Sequence, residues 1–321
     1  MSRGLGTGHS TPIPVVFITG VGRSGSTVLE RVISTHDGFW SVGELYHVWE
    51  RSFRANQLCG CGVPFHECPF WVEVSLAAFG VEPAEFDEAV VLHHKRSLER
   101  KCQLPALMLH PERLGPSVLH YARYLARLYT MILQVSGAQA IVDSSKDPRH
   151  GLLLSALPGV RVHVVHLVRD PRAVAFSWRR QRRRPEIYWS TEDMDVYRVS
   201  KAAMEWLAYN PLAEALKAHA SSYCRVRYED FVADPSGVLA RIMSSCSFFG
   251  RTSKQIDEHT VTLQPSHTAA GNPMRFRNGK VRLELDDEWR QAMPMRDRAE
   301  VTALTWPLLH RYGYRLRSTD T

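Results

Sequence analysis

Residues Val15 to Thr27 read VVFITGVGRSGST: an apolar, β-branched run, then a glycine-rich turn, then a hydroxyl pair that opens a helix. Glycines let the backbone come close to a ligand, and the exposed N–H groups and helix dipole face an anion, so the segment builds a phosphate-type cradle. What it lacks narrows the ligand. A nucleoside-triphosphate loop follows G-x-x-x-x-G-K-[ST]; Gly20, Gly25 and Thr27 fill three of these places, but Ser26 stands where the lysine belongs. The nearest cation, Arg23, lies inside the loop. The expected ligand is a phosphate-like group, not a magnesium-bound triphosphate.

Other short apolar runs bounded by turn residues are Ala140–Asp143, Val160–Val168 and Cys224–Tyr228, and with Val15–Thr19 they read as buried parallel strands. Amphipathic helical patterns lie between them: from Thr27 to about Thr35, from about Ser117 to Val135, over Arg172–Arg180, across roughly Met194–Ala218, and from Pro235 to about Ser245. Strands alternating with helices predict an α/β fold, a single P-loop-like three-layer α/β/α domain around a central parallel sheet. Ligands then gather at the carboxyl ends of the strands, where the first turn sits. The domain is expected over residues 14–321, after a loose tail at 1–13. Residues of about 50–135 carry no motif and read as a helical insertion on the acceptor side.

Forty-four per cent of the 321 residues are hydrophobic, as in an ordinary globular protein, and the net charge of +7 points to anionic ligands. No apolar run reaches the roughly 18 residues a membrane span needs. The start, MSRGLGTGHSTP, lacks the apolar region of a signal peptide, so a cytoplasmic location is the expectation. Six cysteines are too few for a disulfide framework in a chain this long. Cys59, Cys61 and Cys68 cluster, with His66 between, but C-x-C-x6-C matches no common zinc spacing. The segment reads as buried thiols or a local disulfide with a structural role, and no metal is expected.

Two segments at strand ends carry a resemblance. One is Gly22–Thr27, GRSGST. The other is VRDPRAVAFSW, in which Arg169 ends a strand and Ser177 follows eight residues later on a helix. Together they resemble the PAPS-dependent sulfotransferases, whose donor is 3′-phosphoadenosine-5′-phosphosulfate. The resemblance implies that Gly22, Arg23, Ser24, Gly25, Ser26 and Thr27 hold the 5′-phosphosulfate, while Arg169 and Ser177 hold the 3′-phosphate. The chemistry agrees: a nucleoside anionic at two ends needs a second cationic site, and an arginine fork with a hydroxyl supplies one. The plain alternative for Arg169 is an ion pair with Asp170.

The stretch RSGSTVLERVISTHDGFWSVGE is similar to the start of the tyrosylprotein and bacterial sulfotransferases, a branch that includes carbohydrate-like members. That similarity implies Glu44, in VGEL, as general base. An attacking hydroxyl must lose its proton, and a carboxylate in a partly dry cleft, its pKa raised, can take it. His47 is the spare candidate, and an exposed turn residue is the bland reading of Glu44. Lys146, in DSSKDP, looks like the family's lysine near the transferring group; with Arg23 it is expected to meet charge on the leaving oxygen. A solvated helix-start lysine before Pro148 is the alternative.

RYEDF, at 227–231, resembles the family's strand-end segment and implies Tyr228 near the donor. The loop SHTAAGNPMRFRNGK, at 266–280, is reminiscent of the one that closes on the 3′-phosphate, which implies Arg275, Arg277 and Lys280 as further contacts and, less sharply, Asn272. The run RRQRRR, at 179–184, reads as a lid or anion clamp. No stacking platform accompanies it, so nucleic acid is not the expected partner. The implied activity is sulfuryl transfer from PAPS, leaving PAP, to a hydroxyl of a small-molecule or glycan acceptor: a carbohydrate, secondary metabolite, lipid headgroup or phenol. The rival is a P-loop phosphotransferase such as a small-molecule kinase, for which Asp143 could offer the magnesium carboxylate but no lysine stands at position 26.

Overall fold

The computed structural model of the chain describes residues 12–100, 107–110, 114–248, 256–257 and 259–316. The tail expected at 1–13 therefore falls outside the described residues up to position 11. Five parallel strands form the central sheet: β1 (Ile13–Gly20), β2 (Phe39–Gly43), β3 (Ala140–Lys146), β4 (Val160–Val168) and β5 (Ser222–Arg227), in spatial order β2-β3-β1-β4-β5. Helices cover both faces, as the alternating pattern predicts. The strand period of two explains why the apolar runs are unbroken. Val15, Phe17, Ile141, Val162 and Val164 pack into one buried cluster. Val16, Ile18, Val142, Val165 and Leu167 pack into another across the sheet.

The four strands expected from the sequence form: β1 and β3 are longer than expected, β4 has the expected bounds, and β5 begins two residues earlier and ends at Arg227, because Tyr228 opens the next helix. The extension of β3 to Lys146 matters, because it puts that lysine on the carboxyl edge of the sheet. β2 was not expected. It has only five residues, two of them Ser41 and Gly43, and too little apolar length to register as a strand. A small antiparallel sheet of Ile256–Asp257, Thr260–Leu263 and Gly279–Arg282 was likewise unanticipated, as was the helix Met295–Arg311. Among its described residues the segment of about 50–135 holds the helices Pro69–Phe79, Glu88–Glu99 and Pro116–Ser136, joined by turns and an isolated bridge between Leu58 and Pro64. Its Trp49, Phe53, Phe65 and Trp71 are buried in the same cluster as Phe17.

One buried carboxylate aligns the carboxyl edge. Glu30, on α1 (Ser26–Ile33), accepts from the Ser41 hydroxyl at 2.6 Å, the Gly43 amide at 2.5 Å and the Ser144 hydroxyl at 2.6 Å. It thereby ties the ends of β2 and β3 together, next to Glu44 and Lys146. Burial pushes its carboxyl from the ordinary 4.5 up to about 7, against those three hydrogen bonds, and Asp143 adds repulsion. A carboxyl raised in the folded state stabilises fully below the unfolded value and loses that contribution as pH rises through about 7. Above that, the ionised group costs about 3 kcal/mol relative to the unfolded chain. Glu30→Gln is expected to flatten the fall in unfolding free energy between pH 4.5 and about pH 7, the span in which the carboxyl ionises in the unfolded chain but not in the folded one, read by urea denaturation. An unchanged slope would show that Glu30 does not titrate there.

Candidate active site

The carboxyl ends of the strands surround a cavity of about 710 Å³. Its floor is the turn from β1 to α1. Gly25 is left-handed at φ 92°, and a Cβ there would stand 2.5 Å from the Tyr228 ring, so both backbone and packing demand glycine. Arg23 is also left-handed, at φ 69°, a conformation that costs a non-glycine residue strain and tends to collect at functional sites. Its guanidinium lies 4.7 Å above Trp178 and donates from Nη2 to the Met194 sulfur at 3.2 Å. Its Nε and Nη1 are buried and have no hydrogen-bond partner among the described residues. Burial, then Arg182, lower its pKa to about 10, which leaves it cationic at neutral pH. Buried donors without acceptors mark a place built for an anion.

Gly22, Gly25, Ser26 and Thr27 line the same cavity. Ser24 does not. Its hydroxyl donates to the Val21 carbonyl at 2.7 Å and closes the turn from within.

Arg169 follows β4 and reaches across to the turn. Its Nη1 donates to the Arg23 carbonyl at 3.0 Å and its Nη2 to the Asp286 carbonyl at 2.8 Å, with the guanidinium 4.6 Å over Tyr228. The alternative pair with Asp170 does not form. Asp170 caps the helix Pro171–Arg179 and binds Arg172 at 2.7 Å, while Arg169 faces the Asp286 carboxylate at 3.2 Å. Ser177 and Tyr228 line the cavity beside it. The two anion sites inferred from sequence thus open into one space.

Glu44 and Lys146 end adjacent strands, so their side chains meet at the sheet edge. Lys146 is left-handed at φ 67°; its Nζ donates to Glu44 Oε1 and, at 3.1 Å, to the Ser144 carbonyl. His47 Nε2 lies 3.9 Å and Arg51 Nη1 4.0 Å from Glu44 Oε2. Burial pushes the Glu44 carboxyl up, but Lys146, Arg51 and His47 together outweigh it and hold it down at about 2. The raised pKa expected for a cleft carboxylate is therefore not found, because two cations, Lys146 and Arg51, crowd it. Burial, followed by Arg51, also keeps the His47 imidazole well below its usual range, hence neutral.

The 266–280 loop divides. Arg277 and Asn272 line the cavity. Arg275 does not: the turn Pro273–Phe276 aims it inward, where it donates to the carbonyls of Thr268 and Leu58, each at 2.6 Å. Lys280 is exposed on the strand Gly279–Arg282 and lies outside the cavity. The arginine run divides as well. Arg179, Arg180 and Arg184 pair with Asp297, Glu288 and Glu186, while Arg182 and Arg183 face the cavity. Trp178, Arg51, Arg149 and Asp286 also line it and had no role in the sequence reading. Of residues 50–135, only Arg51 reaches the cavity among those described. No described helix is long and apolar enough to cross a membrane.

In structure, the chain is similar to the sulfotransferase domain of the Synechococcus PCC 7002 olefin synthase, with a TM-score of 0.52 and 20% identity, covering 98% of this chain and 100% of that one. It is similarly close to the sulfotransferase domain from the curacin biosynthetic pathway, at a TM-score of 0.53 and 18% identity, covering 96% of this chain and 100% of that one. Both likenesses establish a shared fold. No curated protein matches the chain in sequence. A family model described as "Sulfotransferase family" matches residues 14–250, a span that holds the GRSGST turn, Glu44, Lys146, Arg169 and Ser177. The chain belongs to the sulfotransferase family and is an enzyme of that class.

Proposed function

We propose that the enzyme moves the sulfuryl group of PAPS in line to a hydroxyl of a small-molecule or glycan acceptor, with Glu44 as the general base. The observation that carries this reading is the pairing of Glu44 with Lys146 in the same cavity as Arg23 and Arg169. The cavity fits such a donor on its own terms. Arg23 offers unpartnered buried N–H groups, Gly25 leaves the backbone bare, and Arg169 with Ser177 supplies a second anion site. PAPS supplies the activated sulfuryl group and departs as PAP.

The protein's part is positioning and charge. Arg23 and the N-terminus of α1 neutralise the 5′ end; Arg169 and Ser177 hold the 3′-phosphate, with Tyr228 beside them and Arg277 at the rim. Glu44 takes the proton of the acceptor hydroxyl as its oxygen bonds to sulfur and the bond from sulfur to the bridging oxygen breaks. Lys146 has two anionic claimants, Glu44 and the leaving oxygen. An incoming anionic donor draws Lys146 from Glu44 and so removes the strongest influence holding that carboxyl at about 2. The base is muted until the donor is in place, which restrains Lys146 and Glu44 from acting apart.

The phosphotransferase reading loses its metal carboxylate. Asp143 is fully buried and occupied by Tyr129, by the Ser145 amide at 2.8 Å and by the Ser145 hydroxyl at 2.5 Å. A thermal-shift comparison tests the choice. PAP at saturating concentration is expected to raise Tm, because a ligand bound only to the folded state stabilises it. Stabilisation by ATP–magnesium and none by PAP would overturn the proposal.

A further inference from the structure

The cysteine-rich loop acquires a fourth partner in three dimensions. Cys59, Cys61 and Cys68 stand before and at the start of the helix Pro69–Phe79, and His267 arrives from 199 residues further along the chain. The three sulfurs and one imidazole nitrogen all lie within 4.8 Å of one another. Cys61 and Cys68 sulfurs are 3.7 Å apart; His267 Nδ1 is 3.2 Å from Cys68 Sγ and 3.9 Å from Cys59 Sγ. Zinc bonds of about 2.3 Å to sulfur and about 2.0 Å to nitrogen, set tetrahedrally, require edges of about 3.8 Å between sulfurs and about 3.5 Å between sulfur and nitrogen. These separations match that tetrahedron. They do not match a disulfide, whose sulfurs stand about 2.0 Å apart, and all three thiols are free. His66, the histidine within the sequence cluster, is occupied elsewhere, with Nε2 2.8 Å from the Phe53 carbonyl.

The surroundings are built as a second shell. The His267 ring packs against Trp40 and Phe70, with centroids at 6.0 and 5.3 Å, those two rings also touching each other at 5.0 Å, and its carbonyl accepts from Trp71 Nε1 at 2.8 Å. The Cys59 amide donates to the Val63 carbonyl and the Gly62 amide to the Cys59 carbonyl, both at 2.8 Å, which fixes a tight loop around the sulfurs. None of the four residues lines the sulfuryl-transfer cavity.

We propose that Cys59, Cys61, Cys68 and His267 together bind one structural zinc ion. A soft, borderline cation suits three thiolates and an imidazole, and four protein ligands leave no position open for chemistry. Binding releases the thiol protons, so it weakens in acid. The ion fastens the loop at 59–68 to the segment that follows His267. That segment runs along β2: the Gly60 amide donates to Thr268, Ala269 donates to Val42, and Glu44 donates to Ala270, at 2.9, 2.8 and 2.9 Å. Two residues further on, Gly271 and Asn272 line the cavity. The zinc thus braces the wall beside Glu44 from outside. C-x-C-x6-C looked unlike a zinc motif because its fourth donor is a single distant histidine.

The test is the metal content of the full chain, purified in reducing buffer without chelator and then offered zinc chloride. Mass spectrometry of the metal is expected to find about one zinc per chain, and His267→Ala or Cys68→Ser to reduce it to a small fraction. Cobalt substitution of the wild type guards against variants that fail to fold; an intense tetrahedral spectrum with thiolate charge-transfer bands is expected. Wild-type protein that takes up no zinc or cobalt after reconstitution would overturn the proposal, as would a Cys61–Cys68 disulfide in the native protein. So would zinc retained in full by both variants.

Discussion

Glu44→Gln is expected to lower kcat by about 10²- to 10⁴-fold, the usual contribution of a general base, while PAP affinity stays the same or tightens. The amide keeps the shape of the side chain but cannot take the acceptor's proton. It also no longer competes for Lys146, which is then free for an anionic ligand. A joint loss of turnover and PAP binding would mean that Glu44 is structural. Unchanged turnover would move the base role to His47, which is neutral and lies 3.9 Å from Glu44. Steady-state kinetics beside a PAP titration separates the three outcomes.

Lys146→Ala is expected to cost about 10²- to 10³-fold in kcat, as the loss of a prearranged charge at a leaving oxygen does. It carries a second signature that a folding defect would not produce. Glu44 has a depressed carboxyl in the folded state, so it is ionised at every pH above about 2 and adds no acid limb to kcat/KM near neutrality. Without Lys146, burial opposes only Arg51 and His47, and the carboxyl rises. An acid limb should therefore enter the pH profile of kcat/KM from below. The stability contribution follows the same sign. It is present above the ordinary carboxylate range and lost as pH falls toward about 2 in the wild type, and it should be lost at higher pH in the variant. A kcat fall with an unmoved profile would mean that Lys146 does not govern Glu44.

Residues whose role depends on local backbone chemistry were legible in the sequence. The glycine turn announces itself by spacing and residue type, while the strand-end arginine and the helix serine stood out through the family resemblance; all three line the same cavity. Roles set by partners far along the chain were not. The downward shift of Glu44 comes from Lys146 on a different strand, 102 residues away. His267 is invisible as a ligand without the fold that brings it 3.2 Å from Cys68. Arg275 was misjudged for a related reason: a basic loop reveals its charge but not which side a tight turn will face, and here Arg275 braces carbonyls while Arg277 meets the cavity. β2 escaped notice because an edge strand of five residues borrows its stability from β3 and from Glu30.

Whether a single nucleotide is gripped at both ends is read by calorimetric titration of PAP into wild type, Arg23→Ala and Arg169→Ala. Each substitution removes a charge-assisted contact and is expected to weaken PAP by about 10- to 100-fold, with folding checked by Tm. PAP binding that ignores Arg169→Ala, or that is missing from the wild type, would contradict the two-ended grip and the activity built on it.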